Sequence, residues 1–365
     1  EDILLLLKSL YQIVYVLSKV RGYQTITKFF SSEVHVFETV ITYLLSLGSS
    51  DGDNWILLYV LLLWTSILGL VPFDIETIDT NGIIIEGLTQ CYKVALTMGN
   101  IRDISAYALS KFATRPDMIK KGVLDNFIKY SIETLNDIKL NEDIFLDIGI
   151  MAALCEIFKN GLASEMIKYS DCVIKNIIQF NYPPHINGSG VIRKFLSKLS
   201  QRIGLTMLKP RNQNWRYKIH HKSLLKNEQS DSDMSTDDAD ELDYDIDFEN
   251  LETLIDKLLN FVGDKDNIVR WSAAKGIGRL CERLTKPMVD EILENMFQMF
   301  ADEENEYTWQ GACLCIAELS KRGMILPEKI IEIISYLEKA LIFEINKGSF
   351  CSGSIVRDSA CYVVW

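Results

Sequence analysis

The feature that most constrains this chain is a two-helix unit that recurs near its C-terminal end. Leu251, Leu254, Ile255, Leu258, Leu259 and Val262 fall at steps of three and four, which places them on one face of a helix. A turn follows at 263–266, and Val269, Ala273, Ile277, Leu280 and Leu284 then align along a second helix. Asp266 or Asn267 is suited to cap that helix, because a short side-chain oxygen accepts a free first-turn N–H. Ser272, Ala273, Ala274, Gly276 and Gly278 are small enough for another helix to approach closely. Asp264 stands six residues before Arg270, and the whole has the form of a HEAT-type repeat. One such unit cannot bury its own apolar face, so it requires neighbours.

The neighbours are present. A shift of 39 residues carries Ile277-Gly-Arg-Leu280 onto Ile316-Ala-Glu-Leu319 and sets Trp309 at the place of Arg270. A third copy has its first helix predicted over 330–345, after which Val356-Arg357-Asp358-Ser359-Ala360-Cys361 echoes Val269-Arg270-Trp271-Ser272-Ala273-Ala274. A weaker echo lies upstream at Ile101-Arg102-Asp103-Ile104-Ser105-Ala106. Only the copy at Asp264 keeps an acid six residues before its arginine, so an Asp–Arg ladder between repeats is not expected elsewhere. Arg270 is expected to reach Asp264 or a carbonyl of the neighbouring turn, and Trp271 to cover a seam between repeats. Asp264, Arg270, Trp271, Trp309 and Arg357 are thus repeat-structural residues rather than partner contacts.

Upstream, residues 3–20 read as a helix stopped by Gly22, and Ser31 or Ser32 is expected to cap a helix running to about Leu47. Residues 48–53 read as a loop. Residues 54–73 then run without a charge, a length that matches the roughly 20 residues of a membrane span. Their flanks are Asp53 and Asp74, without the Lys/Arg bias of membrane helices, which favours a helix buried on all sides. Further helices are predicted over 86–98, 101–112, 124–135, 145–158, 165–180 and 192–208. No alternation of apolar and polar residues lasts long enough to demand a sheet. The fold class is all-α, an α-solenoid of HEAT/armadillo-type helical repeats. It divides into a first part at 1–226, an acidic linker or loop at 227–248, and continuing repeats at 249–365. Helix pairs of one kind on both sides of the linker are expected to make a single solenoid. The chain lacks an initiator Met and ends at Trp365 within an apolar pattern, which reads as part of a longer solenoid.

The formal charge of −12 is local in origin. Residues 228–249 hold eleven acidic residues and no basic one, leaving 39 acidic against 38 basic elsewhere. So charged a stretch is expected to be disordered over 228–240, with Ser230 and Ser235 set three residues before an Asp, as acid-directed kinases require. Just before it, Lys209, Arg211, Arg216, Lys218, Lys222 and Lys226, with Trp215 and Tyr217, form a basic strip suited to an acidic partner. The acidic run is placed to cover this strip until a partner displaces it. Near-neutrality outside the run argues against nucleic acid as the partner.

Eight cysteines show no CxxC pair and fall mostly on apolar helix faces, as free thiols in a reducing compartment do. The chain has no phosphate-binding glycine loop, no Gly-x-Ser-x-Gly elbow, and no ligand spacing among its four histidines. An intrinsic active site, a cofactor or a metal is not expected.

Several stretches resemble the tubulin-folding cofactor D family. They are Lys19-Val-Arg-Gly-Tyr23, Leu61-Leu-Leu-Trp64 with Pro72-Phe-Asp74, Thr114-Arg-Pro-Asp117, and Gln201-Arg-Ile-Gly-Leu-Thr-Met-Leu-Lys-Pro210 with Trp215-Arg-Tyr217. The most specific is Val269-Arg-Trp-Ser-Ala-Ala-Lys-Gly-Ile-Gly-Arg279, followed by Glu318-Leu319 and Arg357-Asp-Ser-Ala-Cys-Tyr362. The resemblance implies a chaperone that binds β-tubulin and assembles or disassembles the αβ-tubulin dimer. It implies work alongside tubulin-folding cofactors E and C and a small ADP-ribosylation-factor-like GTPase, as a non-catalytic scaffold within an assembly that promotes GTP hydrolysis on tubulin. It also implies a cytoplasmic, cytoskeleton-associated protein with no membrane span. The alternative is a HEAT-repeat adaptor that takes another protein or a nucleic acid through the strip at 209–226.

Overall fold

The computed structural model describes residues 2–47, 54–77, 79, 83–137, 144–210, 247–302, 305–346, 348 and 351–365. They form two compact units. The first, residues 1–169 and 175–186, contains α1 (Asp2–Arg21), α2 (Tyr23–Ile26), α3 (Val34–Ser46), α4 (Trp55–Leu68) and α5 (Ile83–Thr97). It continues with α6 (Arg102–Ala113), α7 (Pro116–Lys120), α8 (Val123–Asn136), α9 (Ile144–Asn160), the first part of α10 (Ala163–Val173), and most of α11 (Pro184–Asn187). The second, residues 170–174 and 187–365, holds α12 (Gly190–Met207), α13 (Phe248–Val262), α14 (Asn267–Cys281) and α15 (Lys286–Met299). It closes with α16 (Glu306–Lys321), α17 (Pro327–Leu341) and α18 (Ser354–Val364). The chain leaves the first unit between Tyr169 and Asn187. The acidic stretch expected at 227–248 lies almost wholly outside the described residues.

Each unit is a stack of helical pairs. In the second unit the pairs are α13/α14, α15/α16 and α17/α18, and α12, α14, α16 and α18 pack one on the next. In the first, α3/α4, α5/α6 and α8/α9 pair in the same manner, with α4, α6 and α9 in series. The class is all-α, and the second helix of each pair is the more deeply buried. Helix α16 shows this most clearly, since every residue from Trp309 to Leu319 is buried. Short polar side chains fix where the repeats begin. Asp247, Asp266 and Asn305 cap α13, α14 and α16 by accepting first-turn N–H groups, each worth about 1 kcal/mol.

The uncharged run at 54–73 supplies a helix of 14 residues, α4, which ends at Gly69. At 1.5 Å per residue that is about 21 Å, short of the roughly 30 Å of a bilayer core. Tyr59, Val60, Leu61, Leu62, Leu63, Thr65, Ser66 and Leu68 are buried against the protein instead. Among the described residues no helix is long and apolar enough to cross a membrane.

Close helix crossings rest on glycine at equivalent places in the two units. A Cβ at Gly311 of α16 would lie 2.0 Å from the carbonyl oxygen of Val262, at the end of α13. One at Gly149 of α9 would lie 2.3 Å from the carbonyl oxygen of Leu96, near the end of α5. In both cases the second helix of one pair crosses the end of the first helix of the pair before it. The obstacle is backbone, so it cannot rotate away. Gly311→Ala is expected to destabilise the second unit by about 1–3 kcal/mol despite the better helix propensity of alanine, measured by urea unfolding.

Three local expectations need correction. Helix α3 is not capped by Ser31 or Ser32. Trp64 donates its indole N–H to the Ser31 carbonyl at 2.8 Å, Ser31 Oγ accepts the Glu33 N–H, and Glu33 takes the N-cap position. The helix predicted over 330–345 runs from Pro327 to Leu341, because Pro327 presets the first turn and the chain then enters a short antiparallel ribbon, Ile345–Asn346 with Cys351–Ser352. Of the cysteines, Cys155, Cys281, Cys313 and Cys315 are buried, but Cys172, Cys351 and Cys361 are exposed.

Candidate interaction surfaces

The repeats of the second unit are joined by a polar ladder. Asp264, in the turn before α14, receives the Arg193 guanidinium of α12 in a two-pronged pair, with Nε to Oδ2 at 2.6 Å and Nη2 to Oδ1 at 3.1 Å. Both side chains are largely buried. Arg193 also donates to the Asn187 carbonyl at 2.7 Å. Arg270 does not reach the carboxylate. It donates Nη1 to the Asp264 backbone carbonyl at 2.5 Å, Nε to Gln310 Oε1 of α16 at 2.7 Å, and Nη2 to the same oxygen. Tyr307 stacks against its guanidinium at 5.0 Å. Burial pulls the Arg270 pKa below its ordinary value, while Asp264 pulls it the other way, and the group stays charged. Three successive helices, α12, α14 and α16, are linked through one turn.

The other repeat residues settle differently. Trp309 donates its indole N–H to the Asp302 carbonyl at 2.9 Å and packs between Phe300 and Phe343. The residue that meets Arg270 is the next one, Gln310. Arg357 donates to the Phe343 carbonyl at 2.7 Å. Trp271 lies half-buried against Tyr362 of α18, ring centroids 5.4 Å apart, with Lys275 over its face at 5.1 Å. Lys209 is exposed just past α12. Arg211, Trp215, Arg216, Tyr217, Lys218 and Lys222 lie outside the described residues, as do Ser230 and Ser235.

The first unit carries a second polar clasp that spacing does not reveal. Arg115 donates to the carbonyls of Gly69, Val71 and Phe73 at 2.5, 2.9 and 2.8 Å, and pairs with Asp117 at 2.9 Å. Asp117 accepts the Ile75 N–H at 3.0 Å. Pro72-Phe-Asp74 and Thr114-Arg-Pro-Asp117, two separate landmarks in the sequence, are halves of one structure. They lie more than forty residues apart, and one half is seen only as backbone oxygen.

Nothing in these arrangements resembles a catalytic centre. Burial pushes the thiols of Cys281 and Cys313 up to about 12 and that of Cys91 up to about 11, so they stay protonated and poor nucleophiles at neutral pH. Among the described residues no cluster of His, Cys, Asp and Glu is placed to hold a metal. An apolar cavity of about 240 Å³ opens between α3, α4 and α5, walled by Leu44, Leu58, Gly87, Cys91 and Met98. What remains is outer surface. On α1, Leu6, Leu10, Ile13, Leu17 and Val20 are exposed at steps of four and three.

The tubulin-specific chaperone D-like ARM-repeat families match residues 2–135 and 191–365 of the chain. Tubulin-specific chaperone D of Dictyostelium discoideum is 29% identical over 98% of this chain and 31% of its own length. Tubulin-folding cofactor D of Schizosaccharomyces pombe is 26% identical over 98% of this chain and 32% of its own length. The chain thus spans about a third of the length of these relatives. An engineered protein of known structure aligns over 97% of each chain, but at 11% identity and a TM-score of 0.25, which carries no argument. With matched segments covering both helical units, this chain belongs to the tubulin-specific chaperone D-like ARM-repeat family.

Proposed function

We propose that the chain is the tubulin-binding part of a tubulin-folding cofactor, a scaffold that holds β-tubulin against stacked helical pairs. The observation that carries the reading is the match across 98% of the chain to relatives named as tubulin chaperones. The physical form agrees with it. Helical repeats present an extended surface, and these are locked to one another by buried polar ladders that leave the outer side chains available. The buried thiols of Cys281 and Cys313, held protonated, fit a protein that acts by holding rather than by reacting.

On this reading the chain works in the cytoplasm, near the cytoskeleton, with tubulin-folding cofactors E and C and a small ADP-ribosylation-factor-like GTPase. Together they assemble or take apart the αβ-tubulin dimer, and GTP is hydrolysed on tubulin, not on this chain. Lys209, Arg211, Trp215, Arg216, Tyr217, Lys218 and Lys222 are proposed to contact the partner. The immobilised chain, offered tubulin and single-stranded RNA together at physiological salt, is expected to retain tubulin. Retention of RNA in its place would favour the adaptor reading.

A further inference from the structure

First helices of successive pairs lie side by side in both units, α15 with α17 and α3 with α5. The space between them is filled in one unit and left open in the other. In the second unit it is filled by rings. Phe297, in the last turn of α15, and Phe300, just past it, stack on Tyr336 of α17, with centroids 5.2 and 4.9 Å apart and planes 18° and 16° from parallel. In the first unit the last turn of α3 supplies Leu44 and Leu45. The facing side of α5 supplies Gly87, Cys91, Val94 and Met98, at steps of four, three and four. Leu45 lies on Gly87, where a Cβ would be only 3.0 Å away. The other small side chains of α5 do not fill what is left. A cavity of about 240 Å³ remains, with Leu58 of α4 in its wall and no aromatic ring among its lining residues.

Protein interiors leave few voids larger than a water molecule, so a space of this size calls for an occupant. Water is a poor one, because an ordered water needs two to four polar partners. Backbone groups of the three helices are paired along their own helices. Among the lining side chains only Gln90 carries an amide, and it stands exposed at the rim. No charged residue lines the cavity. The thiol of Cys91 reports the same surroundings, since burial alone pushes it up to about 11. An apolar cavity of roughly 150 Å³ holds benzene, and this one, at about 240 Å³, is over half as large again.

We propose that the cavity between α3, α4 and α5 binds a small uncharged molecule built on a two-ring aromatic system the size of indole, with its polar group at the Gln90 rim. Three observations favour a ring over an alkyl chain. Rings from the chain itself do this work between α15 and α17. Cys91 and Met98 bring sulfur to the wall, and sulfur sits favourably at a ring edge. A rigid ring also loses less freedom on binding than a chain of equal volume. The site is a separate one from the basic strip, and the proposal stands whether or not the chain holds tubulin.

The test is indole titrated into the whole chain carrying ¹³C-methyl methionine, followed by NMR, with the Met98 signal identified by its loss in Met98→Leu. That signal is expected to move upfield under the ring current, with half the effect at about 0.1–1 mM indole. Cys91→Phe from α5 and Leu58→Phe from α4 each put a ring of the chain's own into the space and are expected to weaken indole binding about tenfold or more. Two variants from opposite walls are used so that either one that melts like wild type by circular dichroism decides the matter. Cys361→Phe, at an exposed position of α18, is expected to leave binding unaltered. A Met98 signal unmoved at about 5 mM indole would overturn the site. Undiminished binding in a folded Cys91→Phe or Leu58→Phe protein would do the same. Octan-1-ol binding as tightly as indole would overturn the aromatic class, and indole-3-acetate binding more tightly would overturn an uncharged ligand. Displacement of indole by tubulin would give the cavity to a side chain of that partner and overturn a free molecule as its occupant.

Discussion

Arg115→Ala is expected to destabilise the first unit by about 3–5 kcal/mol, the cost of leaving a buried charge without its partner. The substitution removes donors from the Gly69, Val71 and Phe73 carbonyls and from Asp117, all at once. Those carbonyls belong to the turn that ends α4, so a largely buried helix loses its C-terminal anchor. Lysine cannot replace the arginine, because one ammonium cannot span three carbonyls and a carboxylate in a fixed fork. The clasp also sets a pH dependence. Burial by itself would raise the Asp117 pKa, but the Arg115 hydrogen bond and the N–H groups of Ile75 and Met118 outweigh it, and the native value lies below the ordinary one. A lowered native pKa contributes stability that is complete above the unfolded value, about 3.9, and is lost as pH falls through the native value. In Arg115→Ala only the N–H groups of Ile75 and Met118 still oppose burial, so the native Asp117 pKa rises and this contribution shrinks. Acid unfolding followed by circular dichroism is expected to move to higher pH in the variant. An unchanged urea midpoint and an unchanged acid midpoint would show that the clasp contributes nothing.

Asp264→Ala is expected to cost the second unit a similar amount, about 3–5 kcal/mol. It leaves the largely buried Arg193 guanidinium with only the Asn187 carbonyl and removes the acceptor of the Asp266 N–H, a bond of 2.7 Å. The backbone carbonyl of Asp264 survives the substitution, so the bond from Arg270 remains available. Arg193→Leu with Asp264→Ala removes both charges together, and the pair is expected to be more stable than Asp264→Ala alone. The coupling energy between the two positions, from urea unfolding of both singles and the double, is expected at about 1.5–3 kcal/mol. Additive losses would mean that the two side chains do not depend on each other.

The repeat architecture was legible because it is written twice over in local terms. Steps of three and four from Leu251 to Val262, a turn, and a capped second helix at Asp266 need no knowledge of the rest of the chain. The buried character of α4 could be read from its lack of basic flanks. What could not be read is whatever joins distant residues. Arg193 and Asp264 are 71 positions apart, and neither lies in a motif that names the other. The spacing of Asp264 and Arg270 pointed to a contact with Asp264 or with a carbonyl of its turn; geometry took the carbonyl for Arg270 and gave the carboxylate to Arg193, which the spacing did not indicate. Arg115 escaped for a related reason, since three of its four partners are backbone oxygens that every sequence supplies. Apolar periodicity also overshot at α17. Ile342, Phe343 and Ile345 continue the pattern, while the chain has already turned toward its short ribbon.

Buried ladders hold the helical pairs together, and in this account the outer surface does the work of binding. The most direct measurement is the mass of the species formed when the chain is mixed with tubulin, read by light scattering on a sizing column at physiological salt. A complex of one chain with one β-tubulin is expected, formed equally well by Asp264→Ala at temperatures where that variant is folded. Wild-type chain and tubulin eluting at their separate masses would contradict it, and so would loss of the complex in a folded Asp264→Ala protein, because the ladder would then itself be the contact.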